Sequence, residues 1–216
     1  MKKLYLFFKR LFDIVASLAG IILLTISLVF IIVPLIIRLT SKGPALFKQV
    51  RIGKNAKPFT MYKFRTMILE QYDEDGIEIM PEDRITKVGK LLRKTSLDET
   101  PQLLNILNGT MSFVGPRPML AYQIDRCIGE EKLRFEVKPG VTGLAQVNGR
   151  NNIDWTERIK YDVEYVKTLN FFLDIKILFK TIVSTVKREG TNIVPEFRGV
   201  DRFSRDYIPP DEIDFQ

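Results

Sequence analysis

The strongest chemical signal in this chain is a pair of adjacent carboxylates, Asp98 and Glu99, just before Pro101 and a short apolar segment. A Gly-Pro-Arg-Pro turn at residues 115–118 follows about one helix length later. The chain contains no histidine. Acid–base or nucleophilic chemistry therefore has to come from carboxylates, hydroxyls, amines or the single Cys127. One cysteine also excludes an internal disulfide.

The segment after the carboxylates is predicted to be a helix. Residues 101–107 are mostly apolar, and a proline at position 101 is typical of a first helical turn. Asp98 and Glu99 then lie at or just before the helix N-terminus, where the dipole and free N–H groups favour negative charge or a bound phosphate. Two interpretations of Asp98 stay open on this evidence: an N-cap, which many helices have, or a catalytic carboxylate.

Basic side chains lie on two predicted elements upstream of the carboxylates. Residues 59–65 alternate apolar or aromatic with polar side chains, which predicts a strand whose Lys63 and Arg65 share one face. Residues 85–94 predict a short basic helix with Arg93 near its end. These two cations are either ordinary solvent-exposed charges or, if a phosphate site lies beside the strand, a pair that binds the phosphate.

The N-terminal region contains a run long enough for a membrane. Residues 14–37 carry no charge over 24 positions. A helix of that length is roughly 36 Å long, against about 30 Å for a hydrocarbon core. The run is too long for the apolar part of a signal peptide, and no small-residue cleavage site follows it. A fully buried helix of a soluble protein is an alternative.

Positive charge on both sides of this run indicates how it meets a membrane. Four basic residues precede it, and six follow between residues 38 and 57. Because cytoplasmic loops carry such an excess, a segment that enters and leaves by the cytoplasmic face satisfies both flanks. A plain spanning helix satisfies only one flank and is the alternative.

Composition favours a membrane surface over nucleic acid as the partner of this basic chain. The net charge is +7 with a pI of about 9.4, and basic residues beside a membrane segment attract anionic lipid. No recognition-helix, zinc or aromatic-platform pattern occurs, so no nucleic-acid partner is expected. Residues 171–186 are apolar and aromatic but interrupted by charge, which indicates either an amphipathic helix on the membrane surface or core packing.

Several motifs occur together in one order along the chain. They are FKQVRIG at 47–53, YKFRTM at 62–67, LDE at 97–99, MSFVGPRP at 111–118, KPGVTG at 138–143 and AQVNGR at 145–150. As an ordered set they resemble the bacterial sugar transferases, the monotopic phosphoglycosyl transferases that load a hexose-1-phosphate onto polyprenyl phosphate. The resemblance runs from about Lys9 to Arg188 and is closest to the minimal form of that family.

The resemblance implies a fold class, α+β and mostly helical. A small catalytic domain would be held on the membrane by an N-terminal re-entrant helix and by interfacial amphipathic helices. The expected boundaries are an anchor at 1–40, a cytoplasmic phosphoglycosyl transferase domain at 41–190 and a C-terminal tail at 191–216. The implied location is the bacterial inner membrane, with the catalytic domain on its cytoplasmic face and membrane lipid as a partner.

Anchors of this family usually turn at a Ser-Pro pair. The matching pair here is Ser27-Leu28, and Pro34 lies six residues later. The break is therefore expected either to shift toward Pro34 or to be formed by Ser and Thr side chains that bond to the backbone.

The resemblance also implies a reaction: transfer of a hexose-1-phosphate from a UDP-sugar to undecaprenyl phosphate, with release of UMP, as the first step in making a cell-surface polysaccharide or glycoconjugate. Asp98 matches the family's nucleophile, which forms a phosphosugar intermediate, and Glu99 supports it through the metal or by proton transfer. The family uses Mg²⁺, for which both carboxylates are the expected ligands. Phosphate and nucleotide contacts are carried over to five cations: Lys63, Arg65, Arg93, Arg117 and Arg150.

Two other function classes compete with this one. A non-catalytic, membrane-tethered binding module for anionic lipid or polymer accounts for the charge and the anchor, but it gives no role to Asp98 and Glu99. A glycosidase needs two carboxyl groups about 5 Å or more apart across a sugar bond, which two adjacent residues could hardly straddle.

Overall fold

The computed structural model describes residues 2–72, 79–80, 83–149 and 153–186, and within these ranges the chain is mostly helical with two small sheets. The helices are α1 Lys2–Ile26, α2 Val29–Thr40, α3 Lys87–Thr95, α4 Gln102–Leu107, α5 Leu144–Asn148, α6 Trp155–Thr168 and α7 Phe171–Val186. The strands are β1 Leu46–Ile52, β2 Pro58–Phe64, β3 Ser112–Val114 and β4 Gly140–Thr142. The expected α+β, mostly helical class is confirmed. The expected tail at 191–216 lies outside the described residues.

The chain divides into two compact units. Unit 1 comprises Met1–Lys9, Val50–Phe59 and Thr110–Gln216, and unit 2 comprises Arg10–Gln49 and Thr60–Gly109. The chain passes between the units inside α1, inside β1, inside β2 and after α4. The carboxylate pair and its neighbouring cations therefore belong to unit 2, and the Gly-Pro-Arg-Pro turn belongs to unit 1.

The apolar run forms two helices, α1 and α2, with a break at the Ser27-Leu28 pair. Leu28 has a left-handed backbone with φ of 59°, and the two helices are bent by 62°. The hydroxyls of Thr25 and Ser27 donate to carbonyls of the preceding turn at 2.8 and 3.2 Å. Pro34 lies inside α2. The break is therefore not shifted toward Pro34, and hydroxyl side chains bond to the backbone beside it.

In the ranges that the structure describes, no single helix is both long and apolar enough to cross a bilayer. The bent pair Lys3–Ile26 and Val29–Thr40 meets that test together, by length and composition. Large apolar side chains are exposed along both helices: Leu4, Phe7, Phe8, Leu11, Phe12, Val15, Leu18, Ile22, Leu23, Ile26, Ile31, Ile32, Leu35, Ile36 and Leu39.

The core of unit 2 joins α2, α3 and the end of β2. Its buried residues are Val33, Ile37, Ala45, Phe64 and Leu92. The strand predicted at 59–65 is β2, and the basic helix predicted at 85–94 is α3. Gly89 lets α3 approach the chain after β2, because a Cβ there would lie 2.0 Å from the carbonyl oxygen of Thr66.

The core of unit 1 lies between α6, α7 and the parallel pair β3–β4, in which Ser112 is opposite Gly140. The helix predicted at 171–186 is α7. It buries Ile177 completely, and its large exposed apolar side chains are Phe171, Phe172, Ile175, Phe179 and Ile182. Core packing is therefore confirmed for one face of α7. The other face is apolar and exposed, and its position on a membrane surface stays a prediction.

Candidate active site

Asp98 lies in a short 3₁₀ turn, Leu97–Glu99, between α3 and α4. Ser96 ends α3 in a left-handed conformation, with φ of 56° and its N–H bonded to the carbonyl oxygen of Arg93. The Thr100 hydroxyl closes the turn by donating to the Leu97 carbonyl at 2.8 Å. The chain therefore turns at the carboxylates, where Asp98 is only 9% exposed.

Asp98 does not cap the helix that follows it. Pro101 occupies the N-cap position, and α4 begins at Gln102. The N-cap interpretation of Asp98 is therefore wrong. The prediction of a helix over residues 101–107 is confirmed within one residue, with the proline just before the helix and not in its first turn.

Lys63, which β2 contributes to the site, forms an ion pair with Glu99. The Lys63 Nζ lies 2.6 Å from the Glu99 Oε1, and the two side chains are 18% and 23% exposed. Because both groups are partly shielded from water, their attraction is stronger than that of a surface pair. The pair fixes the Glu99 carboxylate beside Asp98.

Burial and then the neighbouring Glu99 carboxylate raise the pKa of Asp98 from an ordinary 3.8 to about 6. The Lys63 ammonium, the Arg93 guanidinium and a backbone N–H act in the opposite direction but do not cancel the rise. At pH 7 most of the Asp98 carboxylate is still ionised, and it is more basic than an ordinary aspartate. Strongly perturbed carboxylates of this kind are typical of reactive sites.

Arg93 contributes positive charge from the last turn of α3. Its Nε donates to the Thr66 hydroxyl at 2.9 Å, which fixes the start of the guanidinium group against the chain that follows β2. Arg93 also favours the ionised form of Asp98. Within unit 2, the structure thus brings together four residues that the sequence predicts for the site: Asp98, Glu99, Lys63 and Arg93.

Arg65 also belongs to unit 2, but it has a different set of partners. It is 4% exposed, and its two terminal nitrogens donate to carbonyl oxygens of residues 41–43, just after α2. These contacts occupy both terminal nitrogens, whereas the buried Nε has no hydrogen-bond partner among the described residues. A phosphate-binding role for Arg65 stays a prediction.

Arg117 belongs to unit 1, where a second arginine lies near it. The Arg51 Nη1 donates to the Pro118 carbonyl at 3.2 Å. Burial and then the charge of Arg117 lower the pKa of Arg51 to about 10. The sequence alone indicates no role for Arg51, although this residue lies inside the FKQVRIG motif. Arg150, the fifth predicted cation, lies outside the described residues.

A buried ion pair supports the backbone at Arg117. The Arg134 Nη2 donates to the Arg117 carbonyl at 2.8 Å and to the Asp162 Oδ2 at 2.7 Å. The Arg134 and Asp162 side chains are only 2% and 3% exposed. Burial raises the pKa of Asp162, and the guanidinium groups of Arg134 and Arg158 oppose that rise.

The carboxylates of the site are compatible with a magnesium ion that the substrate helps to bind. Within the described ranges, no group of three or more His, Cys, Asp or Glu side chains could hold a metal ion. Asp98 and Glu99 supply two carboxylates in one turn. Mg²⁺ is commonly bound by one or two carboxylates together with substrate phosphates, so these two residues fit that mode.

Comparison with known families gives a match over most of the chain. The family model described as "Bacterial sugar transferase" matches residues 4–188. The chain is 47% identical over 182 residues to the uncharacterized sugar transferase EpsL of Bacillus subtilis, covering 84% of this chain and 89% of that protein.

Two longer relatives carry names that state a reaction. The chain is 46% identical over 184 residues to the UDP-glucose:undecaprenyl-phosphate glucose-1-phosphate transferase of Klebsiella pneumoniae, covering 81% of this chain and 39% of that protein. It is 39% identical over 205 residues to the undecaprenyl-phosphate galactose phosphotransferase of Salmonella typhimurium, covering 85% of this chain and 41% of that protein. The chain therefore spans about two fifths of the length of these two relatives.

Proposed function

The chain belongs to the bacterial sugar transferase family, and on that premise we propose that it transfers a hexose-1-phosphate from a UDP-sugar to undecaprenyl phosphate and releases UMP. One observation carries the proposal: Asp98 is buried beside a second carboxylate, Glu99, which Lys63 holds in place at 2.6 Å. The names of the two longer relatives support the same substrates.

The first step is attack by Asp98 on the UDP-sugar. A carboxylate oxygen of Asp98 forms a bond to the phosphorus that carries the sugar, while the bond from that phosphorus to the bridging oxygen breaks. The electron pair leaves with UMP, and the sugar phosphate stays on the enzyme as an acyl phosphate. The raised pKa of Asp98 supports this role, because the ionised group keeps more basicity than an ordinary aspartate.

The second step returns the enzyme to its starting state. An oxygen of undecaprenyl phosphate attacks the same phosphorus and forms the diphosphate of the lipid-linked sugar, and the Asp98 carboxylate leaves. The lipid phosphate is already anionic, so it needs no strong base, and the absence of histidine is no obstacle. Glu99 and Lys63 keep Asp98 in a fixed electrostatic environment through both steps.

We assign Asp98 and Glu99 as the residues that hold Mg²⁺, together with the substrate phosphates. The ion would neutralise charge on the diphosphate and so make UMP a better leaving group. Lys63 and Arg93 in unit 2, Arg117 in unit 1 and Arg150 are assigned to phosphate and nucleotide contacts. Arginine suits this task because its planar donors match two phosphate oxygens at once.

We also propose that α1 and α2 form a re-entrant anchor at residues 1–40 of an inner-membrane protein, with the 41–190 domain on the cytoplasmic face. The bend at Leu28, the exposed apolar side chains of both helices and the basic residues on both flanks support this arrangement. The exposed apolar face of α7 lies on the membrane surface.

Labelling tests the proposed orientation. A cysteine placed near Lys3 in a Cys127→Ser background should not react with a membrane-impermeant reagent in intact cells, and should react after permeabilisation. The Cys127→Ser parent controls for background, since Cys127 itself is 1% exposed. Prompt labelling of intact cells would show that the segment spans the membrane.

A substrate panel tests the proposed activity. The full chain in nanodiscs is mixed with Mg²⁺, undecaprenyl phosphate and a series of UDP-hexoses, and UMP release is measured. At least one UDP-sugar should give multiple turnovers that require the lipid and stop in chelator. Binding to anionic vesicles without UMP from any UDP-sugar would instead favour the binding module.

A further inference from the structure

Four consecutive residues at the end of β2 contact four different parts of unit 2. Lys63 pairs with Glu99 at 2.6 Å, and the Phe64 ring lies 6.0 Å from the ring of Phe30 on α2. Arg65 bonds to the chain just after α2. The next residue, Thr66, accepts the bond from α3 described above. One short segment therefore connects the carboxylate site, the C-terminal part of the apolar run at α2, and α3.

Arg65 makes the most extensive of these contacts. Its Nη2 lies 2.8 Å from the Ser41 carbonyl, 3.0 Å from the Ser41 hydroxyl and 3.3 Å from the Gly43 carbonyl. Its Nη1 donates to the Lys42 carbonyl. The last carbonyls of a helix and the chain just after it lack intrahelical partners, and a cation there is favourable. Arg65 therefore caps the C-terminal end of α2 from another element.

The backbone of Arg65 strengthens the same connection. Its N–H donates to the Ala45 carbonyl at 2.8 Å, so the segment 41–45 is held by both the main chain and the side chain of one residue. Ala45 and Phe64 lie in the same buried cluster as Val33 and Ile37 of α2. The position of the end of β2 is thus tied to the position of α2.

We propose that Arg65 is a positioning residue, which acts on the reaction by fixing the end of β2 against the end of α2 and so keeping Lys63 on Glu99. This inference rests on the proposed function for its kinetic consequence. It differs from the phosphate contact expected from the sequence, because both terminal nitrogens of Arg65 donate to backbone carbonyls. Through Arg65, the position of α2 would set the position of Lys63 and, through it, of Glu99.

Kinetics separate this role from a phosphate contact. Arg65→Gln should lower kcat by ~10²-fold, because a small misplacement of reacting groups is enough for that loss, while the KM for the UDP-sugar changes by no more than about twofold. Arg65→Lys keeps the charge but not the two-nitrogen geometry, so kcat should fall by about 10-fold. If Arg65 contacted phosphate instead, Arg65→Gln should mainly raise the KM for the UDP-sugar, and Arg65→Lys should have a smaller effect than Arg65→Gln. The exposed Lys160→Gln variant controls for loss of one positive charge.

A double-mutant cycle tests whether Arg65 acts through Lys63. Once Lys63→Gln has removed the ion pair with Glu99, adding Arg65→Gln should lower kcat by less than about threefold further. Full multiplication of the two single effects would overturn the proposal, since it would mean that the residues act independently.

Hydrogen exchange tests the structural half of the proposal without any activity. In Arg65→Lys, amides at 41–45 and 62–66 should exchange faster than in the wild type, whereas those of α6 should not change. Unchanged exchange in both segments would overturn the proposal. If the wild type released no UMP from any UDP-sugar, the proposed function would fail, and hydrogen exchange would still decide the role of Arg65.

Discussion

Asp98 and Asp162 are both buried aspartates, yet their surroundings differ in one decisive respect. Asp162 is 2% exposed and lies 2.7 Å from the Arg134 guanidinium, which also bonds to the Arg117 carbonyl. Asp98 is 9% exposed, and its neighbour in the turn is another carboxylate, Glu99. The nearby Lys63 forms an ion pair with Glu99. One aspartate is neutralised by a dedicated partner, and the other is kept close to a like charge.

The comparison contrasts an aspartate that supports the fold of unit 1 with one in unit 2 for which we propose a chemical role. A buried charge with a partner is costly to disturb, because removing either group leaves the other uncompensated. A buried carboxylate beside a like charge raises the free energy of the folded chain at neutral pH and is correspondingly reactive. The two aspartates should therefore respond in opposite ways to the same substitution.

The largest expected effect is on turnover. Asp98→Asn keeps the size of the side chain but removes the nucleophile, so kcat for UMP release should fall by at least ~10³-fold. Asp125→Asn, at an exposed position of unit 1, should keep the wild-type rate. Near-normal turnover by Asp98→Asn would remove Asp98 from the mechanism.

The second effect is on folding of unit 1. Asp162→Asn leaves Arg134 buried without its counter-charge, so the free energy of unfolding should fall by about 3–5 kcal/mol. Denaturant unfolding in one detergent measures it, with Asp125→Asn expected within about 0.5 kcal/mol of wild type. A loss below about 1 kcal/mol would mean that the pair does not support the fold.

The third effect has the opposite sign. The pKa of Asp98 is about 6 in the folded chain against 3.8 ordinarily, so the folded state binds more protons between those values and its stability falls as pH rises through them. Above pH 6 the full penalty applies, and Asp98→Asn should raise the free energy of unfolding by about 1–3 kcal/mol at pH 7.5.

The gain should shrink as pH falls, to about 0.5 kcal/mol at pH 4, and be absent below about pH 3, where the wild-type carboxyl is protonated in both states. The same unfolding series, run at pH 7.5 and pH 4, provides the check. Destabilisation by Asp98→Asn at pH 7.5 would contradict the claim that this carboxylate is held in an unfavourable environment.

The smallest effect is on the pH profile of the wild type. If the ionised form of Asp98 is the nucleophile, as we propose, kcat/KM should be about half its plateau value near pH 6 and fall about tenfold per unit below that. Glu99→Gln removes the like charge beside Asp98. The acid limb of the kcat/KM profile, measured on the activity that this variant retains, should therefore move to lower pH. An acid limb near pH 4 in the wild type would mean that Asp98 has an ordinary pKa.

The sequence predicts the local elements of both units well. The alternation in β2, the basic helix α3 and the apolar helix α7 are all visible in neighbouring residues. The position of the break at Ser27-Leu28 is one of two alternatives that the sequence leaves open, and the structure decides between them. The ordered motifs also indicate the family, which the match over residues 4–188 confirms.

Contacts between distant residues could not be predicted in the same way. Arg65 bonds to residues more than twenty positions earlier, and Arg134 bonds to Asp162, 28 residues later. Neither pairing leaves a periodic pattern, because only the folded chain brings the partners together. The N-cap interpretation of Asp98 failed for a related reason, since the 3₁₀ turn before Pro101 has no signature that distinguishes it from a helix start.

The central claim, that Asp98 is the nucleophile, is tested most directly by isolating the intermediate. The full chain is mixed with Mg²⁺ and its UDP-sugar without lipid, quenched, and searched by mass spectrometry for a hexose-phosphate on the peptide that contains Asp98. We expect an adduct there, a lipid-independent burst of UMP and ping-pong kinetics, all absent from Asp98→Asn. Intersecting initial-rate lines, with neither adduct nor burst, would contradict the covalent route and leave Asp98 as a metal ligand.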